Sequence, residues 1–433
     1  MHAIHKVTNE WPAKPPARLA RAMSRFGVRN YLYGLPWFLL LFLATFSLSP
    51  TSSVQPEQGG ILKAITIFVY SLSLAFLLVN ANAVVSILRG RWLYVGFMAY
   101  ISLSIVWSDD PASALRISAY FWGGGVVALV AVMAYRNDPR KFFQALVFYS
   151  VLMVGGSLWL VLMNPAQGIG DGGRWIGVTT HANGLGIISI ISVWANISYF
   201  CLTRSKRVKA FNVLMIGLSA LAIYGANSAT SLVVSAAILV LTLMLRSVDK
   251  AAISKLFARA ATMGLFIALC LWMAHALVPE LFDVNAVFGI VGRDATFTGR
   301  TALWQMGVEK ISQEPILGAG FQEFIRIAGV QMKHFHSGYI ELLVRGGIVA
   351  LFFVVAFVFQ IIFSLKRTSD SRLYVFFTLM ALAIVIHNVT EGSFGRGVNA
   401  FWLIFSFIYF FTDARHRTPP PWGSAHKGNV GTA

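Results

Sequence analysis

Charge is what this chain has least of. Only 12% of its 433 residues are Asp, Glu, Lys or Arg, about half the share found in soluble domains. That excludes an ordinary water-soluble globule. Cysteine is scarcer still, and the two present, Cys201 and Cys270, both sit inside apolar runs. A disulfide framework and a cysteine zinc site are thereby excluded, and each thiol reads as a small buried hydrophobe. Acidic residues number 17 against 35 basic ones. No recognisable internal repeat divides the chain into halves, which weighs against the duplicated architecture of many carriers.

What the chain has in quantity is apolar sequence, 57% of all positions. A spanning helix needs about 20 mostly apolar residues. Twelve stretches approach this, at roughly 32–49, 62–80, 92–107, 114–135, 143–163, 183–203, 210–227, 229–246, 260–278, 338–365, 372–390 and 397–412. The fold class expected is an all-α integral membrane protein of about 12 transmembrane helices. It divides into a basic tail (1–31), nine spans (32–278), one long polar loop with short helices (279–337), three spans (338–412) and a second tail (413–433). About thirty polar and basic residues precede the first apolar run, so no cleavable signal peptide is expected.

Lysine and arginine orient the spans, because they accumulate on the cytoplasmic side. With both termini inside, 25 of the 35 fall in cytoplasmic segments and nine on the opposite face. The formal charge of +18 therefore points to anionic lipid headgroups at runs such as RSKRVK (Arg204 to Lys209), not to nucleic acid. Five of the nine outer cations, Arg293, Arg300, Lys310, Arg326 and Lys333, crowd into the long loop. The sorting rule asks for none there, so an anionic partner on the outer face is expected. The same orientation gathers WSDDPASALR (Trp107 to Arg116), GDGGRWIGVTTHANG (Gly170 to Gly184), ANSATS (Ala226 to Ser231) and HNVTEGSFGR (His387 to Arg396) on that face. None of these outer segments carries a DxD or His-x-x-x-His pattern, so no metal site is expected.

Five of these motifs carry a resemblance. WSDDPASALR, HANGLG (181–186), FTGRTALW (297–304), PILGAGFQEF (315–324) and HSGYIELLVRGGIVAL (336–351), in this order and spacing, resemble the O-antigen ligase/polymerase superfamily. The TFTGRTALW form is most similar to its exopolysaccharide polymerases. The resemblance implies a GT-C-like membrane glycosyltransferase of the bacterial inner membrane that needs no cofactor. It implies transfer of glycan, with inversion, from an undecaprenyl-pyrophosphate carrier to an acceptor hydroxyl on the periplasmic side. A flippase and a chain-length regulator are the partners it suggests. One departure stands out: between spans seven and eight the family pattern carries a cation where this chain has Ala229.

Such a transfer needs cations for the departing diphosphate and a base for the acceptor hydroxyl. His336 is the candidate base, placed where the loop re-enters the membrane; a histidine bonding a helix end is the alternative, and the resemblance implies the catalytic role. His334, two residues earlier, would not share a helical face with it and reads as a bystander. Arg300 follows Gly299 and opens a helix, a suitable anion cradle. Arg293, Arg174 and Arg345 are further candidates for substrate contact, with Tyr339 and Glu341. Glu341 lies four residues before Arg345, so an internal ion pair is the economical reading of both. Tyr339 could stack on a sugar or simply anchor at the interface. Asn183 reads as a helix cap. Glu391 and Arg396 could complete the polar cavity or pair with one another. A ligase acting on lipid A core or protein uses the same donor chemistry, and a 12-span transporter is the reading from another class.

Overall fold

The structure, a computed structural model, describes residues 34–46, 60–249, 251–253, 255–256, 300–366, 370–395 and 399–417. The expected ninth span, Arg293 and Arg396 lie outside these residues. Helices occupy the other eleven expected positions. With two further helices between them, the third and the tenth, the order is α1 (Gly34–Leu43), α2 (Gly60–Val79), α3 (Ala81–Leu88), α4 (Trp92–Leu103), α5 (Pro111–Tyr135) and α6 (Pro139–Met163, with a π-turn at Val151–Gly155). Then come α7 (Ala182–Leu202), α8 (Lys206–Ala226), α9 (Ala229–Leu245), α10 (Arg300–Gln313), α11 (Gly338–Leu365), α12 (Ser371–His387) and α13 (Ala400–Arg417). Six helices among the described residues are long and apolar enough to cross a membrane, or seven if the bent pair α3–α4 counts as one.

Two features depart from the expectation. The third span is not a lone helix over 92–107, because α3 precedes it and the chain bends by 92° between them. Arg91 lies at that bend, wholly buried: it donates to Ser364 Oγ and Thr412 Oγ1 and sits 4.5 Å from the centre of the Tyr409 ring. Nor is the long loop purely helical. Ile325–Ile327 and Val330–Met332 form an antiparallel hairpin, β1 and β2, in which Ile327 pairs with Val330. The two turn residues, Ala328 and Gly329, both have positive φ (47° and 82°), the backbone that a two-residue hairpin needs. An alanine in this conformation carries no composition signal, so the turn could not be read in advance.

Helix starts follow ordinary capping chemistry. Asp110 precedes Pro111 and accepts from the Ser113 amide at 3.0 Å, and Asp370 does the same for Arg372 at 2.9 Å. Each satisfies an amide that lacks an intrahelical partner. Inside lipid there is little hydrophobic drive for helices to associate, so shape matching carries the packing. Here it is largely aromatic. Phe142 and Phe407 stack with centroids 3.9 Å apart, and Trp194, Phe143 and Phe377 close around them. Helix α13 is buried along Phe401–Phe411 and forms the axis of the bundle.

The joining segments 107–116, 170–181, 226–230, 315–337 and 388–395 gather at one end of this bundle. Gln322 Oε1 accepts from Ser108 Oγ and the Asp110 amide, the Phe321 amide donates to Ser104 Oγ, and Arg116 pairs with Glu323 at 2.9 Å. Helix α11 threads this layer with a break at Gly347, whose φ of 58° and ψ of −163° belong to glycine almost alone. A Cβ there would overlap the Ile316 carbonyl. Gly347→Ala is accordingly expected to cost about 1–3 kcal/mol from backbone strain, with the overlap added. Thermal unfolding of the detergent-solubilised protein measures this, and an unshifted midpoint would contradict the backbone path described.

Candidate active site

The segment before α11 is set by a buried ion pair. Glu341 and Arg345 are both essentially sealed from solvent, with Arg345 Nε 3.2 Å from Glu341 Oε2. Neither spends its bonding capacity on the other alone. Glu341 Oε1 accepts from the Phe335 amide at 2.8 Å, while Arg345 Nη2 donates to the carbonyls of Lys333 (3.1 Å) and Glu323 (3.3 Å). The pair therefore clamps residues 333–335 from inside the helix. Phe335 is buried among Ala319, Ile325, Ile327 and Val344, which fixes the same segment from the apolar side. Beyond it, the Gly338 amide donates to the carbonyls of Asn388 and Glu391, and a Cβ on Gly338 would overlap Asn388 Oδ1.

His336 is held between these anchors. Its φ is 51°, left-handed for a non-glycine residue, a strain that persists only where the surroundings over-determine it. The half-buried imidazole lines a cleft of about 490 Å³. His334 lines the same cleft, its ring centroid 6.0 Å from that of His336. The helical-face argument that made it a bystander does not apply, because residues 333–337 are not helical.

Arg174 lines this cleft as well. The turn at Gly172 and Gly173, both at positive φ, reverses the chain so that Trp175 bonds the Gly225 carbonyl. Arg174 then donates from Nε to Ala226 O (2.9 Å) and from Nη2 to Asn183 Oδ1 (2.9 Å). Its guanidinium thus lies against the turn that carries Ala229. A second cleft of about 570 Å³, lined by Arg174, Trp175, Tyr224 and Ala229, adjoins it there.

Arg300 is the first described residue of α10, and it meets the last polar turn. Nη1 donates to Thr390 O at 2.6 Å, and Nη2 is 2.8 Å from Glu391 Oε1. The same carboxylate oxygen accepts from Asn183 Nδ2 at 2.7 Å. Arg174, Asn183, Glu391 and Arg300 therefore form one connected chain across three segments. Burial pushes the Glu391 carboxyl up from its ordinary range, while the charge and hydrogen bond of Arg300, with Asn183 and Arg174, pull it back down.

Several expected roles change on these contacts. Asn183 does not cap α7; His181 does, its Nδ1 accepting from the Gly184 amide at 2.8 Å. An accepting Nδ1 belongs to a neutral ring with its proton on Nε2. Tyr339, expected at the substrate, donates to Val385 O and packs against Phe394, bracing α11 on α12. Glu341 and Arg345, also expected at the substrate, face each other inside the protein and position the loop. Glu391 pairs with Arg300, and Arg396 lies outside the described residues. Among the described residues, no group of three His, Cys, Asp or Glu is placed to hold a metal ion.

Known proteins resemble parts of this sequence. Residues 214–355, from α8 into α11, match the O-antigen ligase family. Over 340 residues the chain is 25% identical to the exopolysaccharide production protein ExoQ of Rhizobium meliloti (strain 1021), spanning 73% of this chain and 76% of that one. Both matches are to proteins of the O-antigen ligase or exopolysaccharide production kind, to which the chain is similar. With six or seven helices long and apolar enough to cross a membrane, these matches indicate a multi-pass membrane protein. The matched superfamily segment contains the turn before Ala229, Arg300, His336 and the Glu341–Arg345 pair, whereas Arg174, Asn183 and Glu391 lie outside it.

Breaking the clamp has a calculable effect. Glu341→Ala leaves the Arg345 guanidinium buried without its counter-ion, and loss of one partner of such a pair costs about 3–5 kcal/mol. Apolar replacement of both, Glu341→Leu with Arg345→Met, should recover most of that stability in thermal unfolding. It should not recover activity, since the Phe335 amide and the Lys333 carbonyl lose their partners. Equal stability of single and double variants would argue against the pair.

Proposed function

We propose that this chain polymerises repeat units of a bacterial surface polysaccharide or exopolysaccharide on the periplasmic face of the inner membrane. The donor is a glycan joined through its anomeric carbon to undecaprenyl pyrophosphate, and the acceptor is a sugar hydroxyl on a second lipid-linked unit. The observation that carries this reading is that His336, Arg174 and Glu391 line one cleft, with Arg300 bonded to Glu391 beside it. A base, two cations and an outward-facing space are what transfer from a diphosphate donor requires.

The acceptor oxygen attacks the anomeric carbon from the side opposite the diphosphate. The new carbon–oxygen bond forms as the bond to the phosphate oxygen breaks, which inverts the configuration. His336 takes the hydroxyl proton, a role open to a neutral imidazole at physiological pH. The electron pair leaves on the diphosphate, whose charge Arg300 and Arg174 balance; the guanidinium fork suits phosphate oxygens. The diphosphate is already an activated leaving group, so the step runs without a metal ion. Arg293, outside the described residues, is a further candidate contact. The polymer reading is favoured over a ligase because the ExoQ relative is described as an exopolysaccharide production protein.

Complementation of a deletion strain with His336→Ala and Arg300→Ala tests this. Both variants are expected to reach the membrane at normal abundance and yield single repeat units in place of a ladder, a loss of at least about 100-fold in polymer. Long chains retained on the lipid carrier would instead identify a ligase, and wild-type ladders from both would place the chemistry elsewhere. In membranes or detergent, EDTA should leave transfer unchanged. Loss restored by a divalent ion would overturn the metal-free step.

A further inference from the structure

Glu391 is the acid of this cleft, and its geometry is unusual for a surface ion pair. One oxygen, Oε1, accepts from both Arg300 Nη2 (2.8 Å) and Asn183 Nδ2 (2.7 Å), and the same Asn183 accepts from Arg174 (2.9 Å). Two arginines 126 positions apart in the chain are thus tied to a single anionic atom, one directly and one through an amide. The other oxygen, Oε2, has no hydrogen-bond partner among the described residues. The side chain is only 12% exposed. Its backbone is held as well, because the Glu391 amide donates to His387 O and its carbonyl accepts from Gly338, two residues after His336.

A carboxylate oxygen held by one guanidinium directly and by a second through an amide offers what a non-bridging phosphate oxygen offers: negative charge and two lone pairs. We propose that Glu391 is an internal stand-in for the anionic head of the substrate. It holds Arg300, and through Asn183 also Arg174, in place between substrates, and it yields them to an incoming diphosphate. This rests on the reading of the cleft as a diphosphate site. Glu391 is then a positioning residue: it keeps two long side chains from scattering and takes back Arg300 when the chemistry is done. A polymerase benefits from this, because the bare lipid diphosphate it produces must leave in every cycle. Uniformly tight binding of the diphosphate would slow that release.

The consequence is opposite to that of a residue that merely stabilises the fold. Removing the charge should tighten anion binding while turnover falls. Inorganic pyrophosphate is the probe, titrated by calorimetry into the purified full chain in detergent. Glu391→Gln keeps the shape without the charge, and Glu391→Ala is measured in parallel so that recovery of either suffices. Glu391→Asp keeps the charge. The neutral variants are expected to bind pyrophosphate on the order of tenfold more tightly than wild type, with the aspartate no tighter than wild type. In the transfer assay they should show a lower KM for lipid-linked donor together with a lower kcat. Equal or weaker binding by the neutral variants, or equal tightening by the aspartate, overturns the stand-in role while leaving the diphosphate site intact. Wild-type chain that binds no pyrophosphate would overturn the diphosphate reading, and this inference with it.

Discussion

The buried Glu341–Arg345 pair is the constraint on which the polar end of this molecule depends. Two opposite charges four residues apart on a helix would normally contribute a few tenths of a kcal/mol at a surface. Here both are sealed, and their desolvation is offset only because each also bonds the loop backbone. The pair is thus less a source of stability than a device for order. It joins Lys333 and Phe335 to α11, and it leaves the next residue, His336, in a left-handed conformation that a loose loop would not keep. Substrate contact by these two charged residues is the reading their type suggests; orientation of the histidine is the role their burial imposes.

A second network does for the cations what the first does for the histidine. Arg174, Asn183, Glu391 and Arg300 come from the α6–α7 loop, the start of α7, the α12–α13 turn and the start of α10. Apart from the α6–α7 loop and the start of α7, which are contiguous, these segments are far apart in the chain. Their hydrogen bonds run through side-chain atoms and the carbonyls of Ala226 and Thr390, so the site is assembled by the ends of at least four helices. Such an assembly has a physical advantage in a membrane. The helices supply rigid supports fixed by aromatic packing, and the polar groups meet only where the bundle reaches water and charge is affordable.

Much of the framework was legible from residue order alone. The apolar runs located the helices to within a few residues at eleven positions, because a helix in lipid must be long, continuous and apolar. The ion pair of Glu341 and Arg345 was legible too, since i and i+4 on one helix share a face whatever the fold. Pairings across the chain were not. Asn183 read as a cap because asparagine at a helix start usually is one, yet His181 took that role and freed the amide to bridge Arg174 and Glu391. His334 was set aside by a helical-spacing argument that fails in an extended loop. The hairpin at 325–332 was missed because an Ala-Gly turn at positive φ carries no compositional warning, and α3 with its bend into α4 was missed because residues 81–91 read as a link between two spans.

The division has one physical cause. Hydropathy, charge asymmetry and spacing along a helix are properties of neighbours in sequence, so the chain alone determined a multi-helix membrane protein, its polar end and the residue types gathered there. Which carboxylate meets which guanidinium depends on side chains tens or hundreds of residues apart arriving within 3 Å. That is decided by how the helices pack. Glu391 shows it most clearly: in sequence it is one acid in a polar turn, and only the meeting of α7, α10 and α12 makes it the anion between two arginines.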